Sequence, residues 1–127
     1  MSANSEVRVI DSGPSCPELP IVLGKGVARA VVWPGVGAHE RSMNRITLQA
    51  ADSTVVLRHP MEAVYYVISG GGGVADPAVA GSQPLVEGSM VHVEPATGYV
   101  FTAGPQGMDI IGGPCPVDPG MYEGIGR

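Results

Sequence analysis

The chain has 127 residues, which is room for one domain and too few for a multidomain enzyme. Nineteen Gly and twelve Pro leave little space for long helices, while 44% apolar residues and a positive mean hydropathy exclude a disordered chain. Twelve acidic residues against seven basic ones give a net charge of −5, with one lysine, Lys25, and six scattered arginines (Arg8, Arg29, Arg41, Arg45, Arg58, Arg127), so nucleic-acid binding through phosphate neutralisation is excluded.

Residues 1–26 mix polar positions with Pro14, Pro17, Pro20, Gly24 and Gly26, and only EVRVI and IVL read as short strands. This is an arm laid over the domain or over a partner. From residue 27 the pattern changes to β-branched runs, VARAVVW, NRITLQ and TVVLRH, separated by PGVGAHERS and AADS. In NRITLQ, Ile46 and Leu48 alternate with Arg45, Thr47 and Gln49, which predicts one buried and one wetter face. AVYYVISGGGGV follows, an aromatic strand running into Gly70 to Gly73. No Gly-Lys-Ser/Thr and no helix-forming stretch come after those glycines, so they predict a hairpin turn rather than a phosphate cradle. Beyond the ADPAVAGSQP loop, LVEG is a short strand and turn, SMVHVEP and GYVFTAG read as a hairpin pair, and MDIIGG as one more strand. Residues 114–127 form a tail with little secondary structure. Short strands at about ten-residue spacing, punctuated by Gly and Pro, predict an all-β sandwich or barrel over residues 27–113.

No apolar run is long enough to span a bilayer, and MSANSEVRV has neither the basic nor the apolar region of a signal peptide, so a cytoplasmic protein without a membrane partner is expected. Cys16 and Cys115 lack the spacing of a zinc ribbon or a redox motif and read as reduced thiols.

HPMEAVYYVISGGGGV and LVEGSMVHVEPATGYVF, in this order, resemble the two signature segments of the cupin superfamily. The resemblance covers about residues 28 to 113 and implies a double-stranded β-helix, the jelly-roll barrel, with a cavity for a small molecule. The family's first segment has the form HxH, three or four residues, Glu, then a strand ending at a Gly turn; Tyr65 to Gly70 fit its end. The second has Gly, a polar residue, a strand, a Pro-containing turn and His, and here Gly88, Ser89, Met90 to Val93 and Glu94 to Gly98 fit up to the last residue. The ligand positions depart from the family. Leu57 stands for the first His, His59 is kept, the Glu falls on Ala63 with Glu62 one place earlier, and Tyr99 replaces the closing His. Of a three-His, one-Glu metal set, His59 and Glu62 survive at most, which implies either a weakly bound divalent metal, zinc, or none.

His59 shares strand parity with Val55 and Leu57 and can point into the barrel, whereas a lone histidine on an apolar face is also an ordinary hydrogen-bonded core residue. Glu62 turned inward pairs with His59 as metal ligand or base; turned outward, it is a solvated turn residue. Tyr99 at a lost ligand position should reach the cavity, either as a proton donor or as barrel filling. Tyr65 and Phe101 are expected to line the cavity. His92 lies on one face of SMVHVEP with Met90 and Glu94, opposite Val91 and Val93, and parity does not decide which face is inward. His39 reads as a surface loop residue, and Arg45 as a possible carboxylate clamp or a solvated strand residue.

These residues suit a small-molecule isomerase or epimerase of a biosynthetic pathway, in which Glu62, His59 and Tyr99 move a proton next to a carbonyl. Two rivals stand beside it: a non-catalytic ligand-binding or accessory cupin, and a metal-dependent dioxygenase, for which a facial ligand triad is not evident. Small cupins are commonly dimers, so a homodimer is expected, with VRVI and IVL able to add to a partner's sheet edge.

Overall fold

The computed structural model describes residues 6–125. Nine strands form one hydrogen-bonded system: β1 Glu18–Leu19, β2 Val22–Leu23, β3 Val27–Val32, β4 Met43–Leu48, β5 Ser53–Thr54, β6 Ala63–Ala75, β7 Gln83–Leu85, β8 Met90–Val93 and β9 Val100–Pro114. Among the described residues the helical segments are single 3-10 turns, Pro34–Val36 and Pro119–Tyr122. The predicted all-β class is what folds, a nearly closed barrel, and no helix is long and apolar enough to cross a membrane.

The sheet runs β1-β3-β4-β9-β5-β2, all neighbours antiparallel. β6 lies on the other edge of β9 from Ala63↔Pro114 to Ala75↔Val100, and β7 and β8 follow one another along β6's far edge. Period-two alternation sets the interior. Asn44, Ile46 and Leu48 of β4, Ala63, Tyr65 and Val67 of β6, Val91 and Val93 of β8, and Phe101, Ala103, Met108 and Ile110 of β9 all face in. NRITLQ behaves as its alternation predicts, and Arg45 and Thr47 face out.

Several expectations are corrected. Gly70 to Gly73 do not turn: they continue β6 as strand. Gly70 adopts φ +76° where the β6–β9 register shifts, and a side chain at Gly72 would put Cβ 2.1 Å from the Thr102 carbonyl oxygen. The glycines therefore let β6 press against β9 on one side and β7 on the other. GYVFTAG and MDIIGG are one strand, β9, and SMVHVEP pairs with β6 instead of with GYVFTAG. In TVVLRH, strand is confined to β5 and a bridge from Leu57 to Tyr99, because Pro60 follows closely and Val56 and Arg58 stay outside. EVRVI, residues 6–10, is not a sheet strand.

Parts of the arm and of the tail pack into the domain core. Cys16, Leu19 and Ile21 are buried, β1 pairs with β3, and β2 with β5, so IVL completes its own sheet rather than a partner's. The tail's Val117, Tyr122 and Ile125 are also core residues, and Tyr122 donates a hydrogen bond of 2.8 Å to Asn44 Oδ1 deep in the barrel. Both cysteines are free thiols, as their spacing implies.

Candidate functional site

Four polar side chains meet in one chain of hydrogen bonds inside the barrel. Leu57 and Tyr99 exchange backbone hydrogen bonds of 2.9 and 2.8 Å, which sets His59, two residues on, against the Tyr99 ring. His59 Nε2 lies 2.7 Å from the Tyr99 hydroxyl, and the Tyr99 hydroxyl 2.7 Å from that of Tyr65. On the other side, His59 Nδ1 lies 2.7 Å from Asp118 Oδ2. Asp118 starts the 3-10 turn of the tail, where its Oδ1 accepts from the Gly120 backbone N–H at 3.1 Å. That second bond fixes the carboxylate with its free oxygen aimed at the imidazole.

The direction of each bond follows from donor inventory. A carboxylate only accepts, so Nδ1 carries the proton; in the neutral ring Nε2 then accepts from the Tyr99 O–H, and Tyr99 oxygen accepts from the Tyr65 O–H. Every member is satisfied, and among the described residues no buried side-chain N or O lacks a partner. Phe101 closes the cluster, edge-on to both tyrosines with centroids 4.9 and 5.7 Å away. Burial raises the pKa of both phenols well above that of an exposed tyrosine: the Tyr99 shift is further enlarged by Tyr65 and Asp118 nearby, and the Tyr65 shift is partly offset by its bond to Tyr99. Both phenols are therefore held protonated.

A cavity of about 720 Å³ opens beside this chain. Its walls come from the end of β6, the loop to β7, β8 and the Thr97 to Tyr99 segment, with Val91, Val93 and Leu85 facing it. Tyr99 is the one member of the hydrogen-bonded chain that lines it.

Four expected residues are placed together: His59, Tyr99, Tyr65 and Phe101. Of these, Tyr65 and Phe101 do not line the cavity but pack behind Tyr99. Glu62 is not with them. Because Ala63 faces in, its neighbour Glu62 faces out, where Oε1 meets His92 Nε2 at 2.6 Å across β6 and β8. His92 is thus on the outer face of β8, at the rim of the cavity, and Val91 and Val93 take the inner face. Arg45 is also outside, held by a two-pronged bond to Asp109 at 3.1 and 2.6 Å and by Ser12, and does not reach the cavity. His39 is exposed in its loop. Asp118 was not legible beforehand: VDPG signals a turn with an Asp cap, but nothing in the tail's sequence says that the turn folds back to His59.

The donor set does not fit a metal inside the barrel. Leu57 and Ala63 offer no ligand atom at two of the four family positions, both His59 nitrogens are engaged, and Glu62 points away. Among the described residues no group of three or more His, Cys, Asp or Glu is arranged to hold an ion.

No protein-family model and no curated protein matches the chain. Solved structures do. A cupin-like protein from Thermotoga maritima is 17% identical with a TM-score of 0.69, over 90% of this chain and 83% of its own. An RmlC-like cupin from Shewanella frigidimarina is 20% identical with a TM-score of 0.67, over 87% and 93%. The polyketide cyclase RemF from Streptomyces resistomycificus is 16% identical with a TM-score of 0.65, over 87% and 75%. The chain shares the fold of these proteins, a double-stranded β-helix barrel.

Proposed function

We propose that the protein is a small-molecule cupin that transfers a proton next to a carbonyl, as an isomerase or epimerase, with no metal in the step. The observation that carries this reading is the chain Asp118, His59, Tyr99, Tyr65, of which Tyr99 lines the cavity. Glu62, expected in the catalytic set, has no part in it. A free Tyr99 phenolate is too costly in its buried site, so the proton moves by relay. As the Tyr99 oxygen takes a proton from the substrate carbon, its own phenolic proton passes to His59 Nε2, and Asp118 stabilises the imidazolium that results. The substrate is left as an enolate. Running the relay backwards onto the other face, or onto a neighbouring carbon, gives the epimer or isomer. Similarity in fold to a polyketide cyclase, to an ectoine synthase from P. lautus and to a predicted oxalate decarboxylase from Thermotoga maritima supports small-molecule catalysis without naming the reaction.

One observation favours a second reading, a binding protein that has lost its chemistry: the buried polar chain is complete without any ligand, as a structural plug would be. Deuterium exchange decides between them. With neutral and acidic carbonyl compounds in heavy water, exchange at the carbon next to the carbonyl is expected in the wild type, a loss of at least about a hundredfold in Tyr99→Phe and His59→Gln, and near-normal exchange in Glu62→Gln. Exchange that survives in Tyr99→Phe, or that is absent across the whole panel, overturns the proton-transfer reading and leaves the binding protein. The same reading includes a homodimer, through the outer face of β6 and β8, and a protein of the cytoplasm.

A further inference from the structure

The cavity's wall chemistry names a substrate class, and this deepens the proton-transfer reading, on which its catalytic meaning rests. Val74, Val79, Leu85, Val91 and Val93 supply apolar wall, and 720 Å³ accommodates a ligand of one to three rings. The ionisable groups lining it, Tyr99 apart, are Asp76, His92 and Glu94; no Lys or Arg is among them. His92 does not supply a free positive charge. Its Nε2 is held by Glu62 at 2.6 Å, and its Nδ1 lies 3.7 Å from Glu94, so one imidazolium faces two carboxylates. The Arg58 guanidinium, not among the lining residues, lies beside Gly98 and donates to the Ala96 carbonyl oxygen. Asp76 adds a further negative charge at the opposite wall, its Oδ1 accepting from the Ala78 N–H.

An anionic ligand would find apolar walls, a net negative rim and no cation to pair with. Burying a carboxylate or phosphate there would cost its hydration with nothing in return. An uncharged ring ketone would lose little, and an amine would gain from the rim. We propose that this cavity takes an apolar, uncharged or cationic carbonyl compound and rejects carboxylates and phosphates, so that neutral ketones rather than keto acids are the substrates of the relay.

A matched trio of bicyclic probes tests this at equilibrium, without turnover: acetylnaphthalene, naphthylmethylamine and naphthoate, followed by amide shifts of Val91 and Val93. The ketone and the amine are expected to bind, and naphthoate at least about tenfold more weakly than the ketone. In Glu94→Lys, an exposed position, the naphthoate deficit should shrink several-fold while the ketone is little affected. Naphthoate binding as tightly as the ketone, a deficit unmoved by Glu94→Lys, or no binding of any of the three overturns the substrate class. Tyr99→Phe is expected to keep the preference while losing exchange; in the wild type, preference without exchange counts against the chemistry alone, and exchange on keto acids alone counts against the substrate class alone.

Discussion

The His92 imidazole shows how one strand position changes a residue's office. It stands on the outer face because Val91 and Val93 fill the inner one, and there Glu62 bonds to it across the β6–β8 pair. That hydrogen bond raises its pKa above the ordinary value of 6.5, opposed by partial desolvation and helped by the charges of Glu62 and Glu94. The sign of the linkage follows. The His92 to Glu62 attraction stabilises the fold fully below pH 6.5, the value expected of the unfolded chain, and is lost as pH rises through the higher folded value. Proton NMR titration should place His92 above 6.5 and return it towards 6.5 in Glu62→Gln; a His92 that titrates alike in both proteins would show that the pair does not form. Both residues were legible as candidates, but their partnership was not. The pairing of Glu62 with His59 that the motif spacing suggests fails for a simple reason: consecutive side chains along an extended segment cannot share a face, and Ala63 already faces in.

At the scale of an element, the tail is the part least visible in the sequence and the one that completes the candidate site. Strands announce themselves through alternation, and the inward pair of β4, Ile46 and Leu48, could be read in advance for that reason. A Pro-rich segment has no period to read. Its placement depends on Val117, Tyr122 and Ile125 finding room in the barrel, a tertiary fact. Gly70 to Gly73 failed for a related reason, because glycine permits a turn and also permits close strand approach, and only the neighbouring backbones of β7 and β9 select between the two. The tail's role has a direct consequence. Asp118→Ala removes the partner of a buried His59 N–H and the cap of the 3-10 turn, and should cost about 1–3 kcal/mol in urea unfolding. Asp118→Asn keeps an acceptor for one of the two bonds and turns its NH2 towards the other donor, so it should recover only part of that loss; it also supplies no charge to the imidazolium and should slow exchange by at least about tenfold. A purely structural Asp118 would instead give Asn normal exchange.

For the whole molecule, the remaining question is what meets the outer face of the sheet. The register lines up Arg29, Arg45, Ile111, Tyr66 and Met90 across five strands, with Val64 and Ile68 beside Tyr66. Met90 is 78% exposed, Val64 46% and Tyr66 40%, an apolar stripe on a face where Arg45 and Arg29 are already paired with Asp109 and Glu18, and His92 with Glu62 and Glu94. Turned through a two-fold axis, that face lays its apolar stripe against the stripe of a second copy, which is the self-complementarity an isologous dimer requires. The arm is not needed for this contact in the way its strand-like residues suggested, since IVL is already paired within the chain. Sedimentation should therefore show a dimer for the full chain, still a dimer when residues 1–10 are removed, and a monomer for Tyr66→Glu with Val64→Lys. A monomeric wild type would remove the dimer altogether, and a dimer lost on trimming the arm but kept in the face variant would move the interface from the sheet to Val7 and Val9, whose side chains are exposed at 81% and 89%.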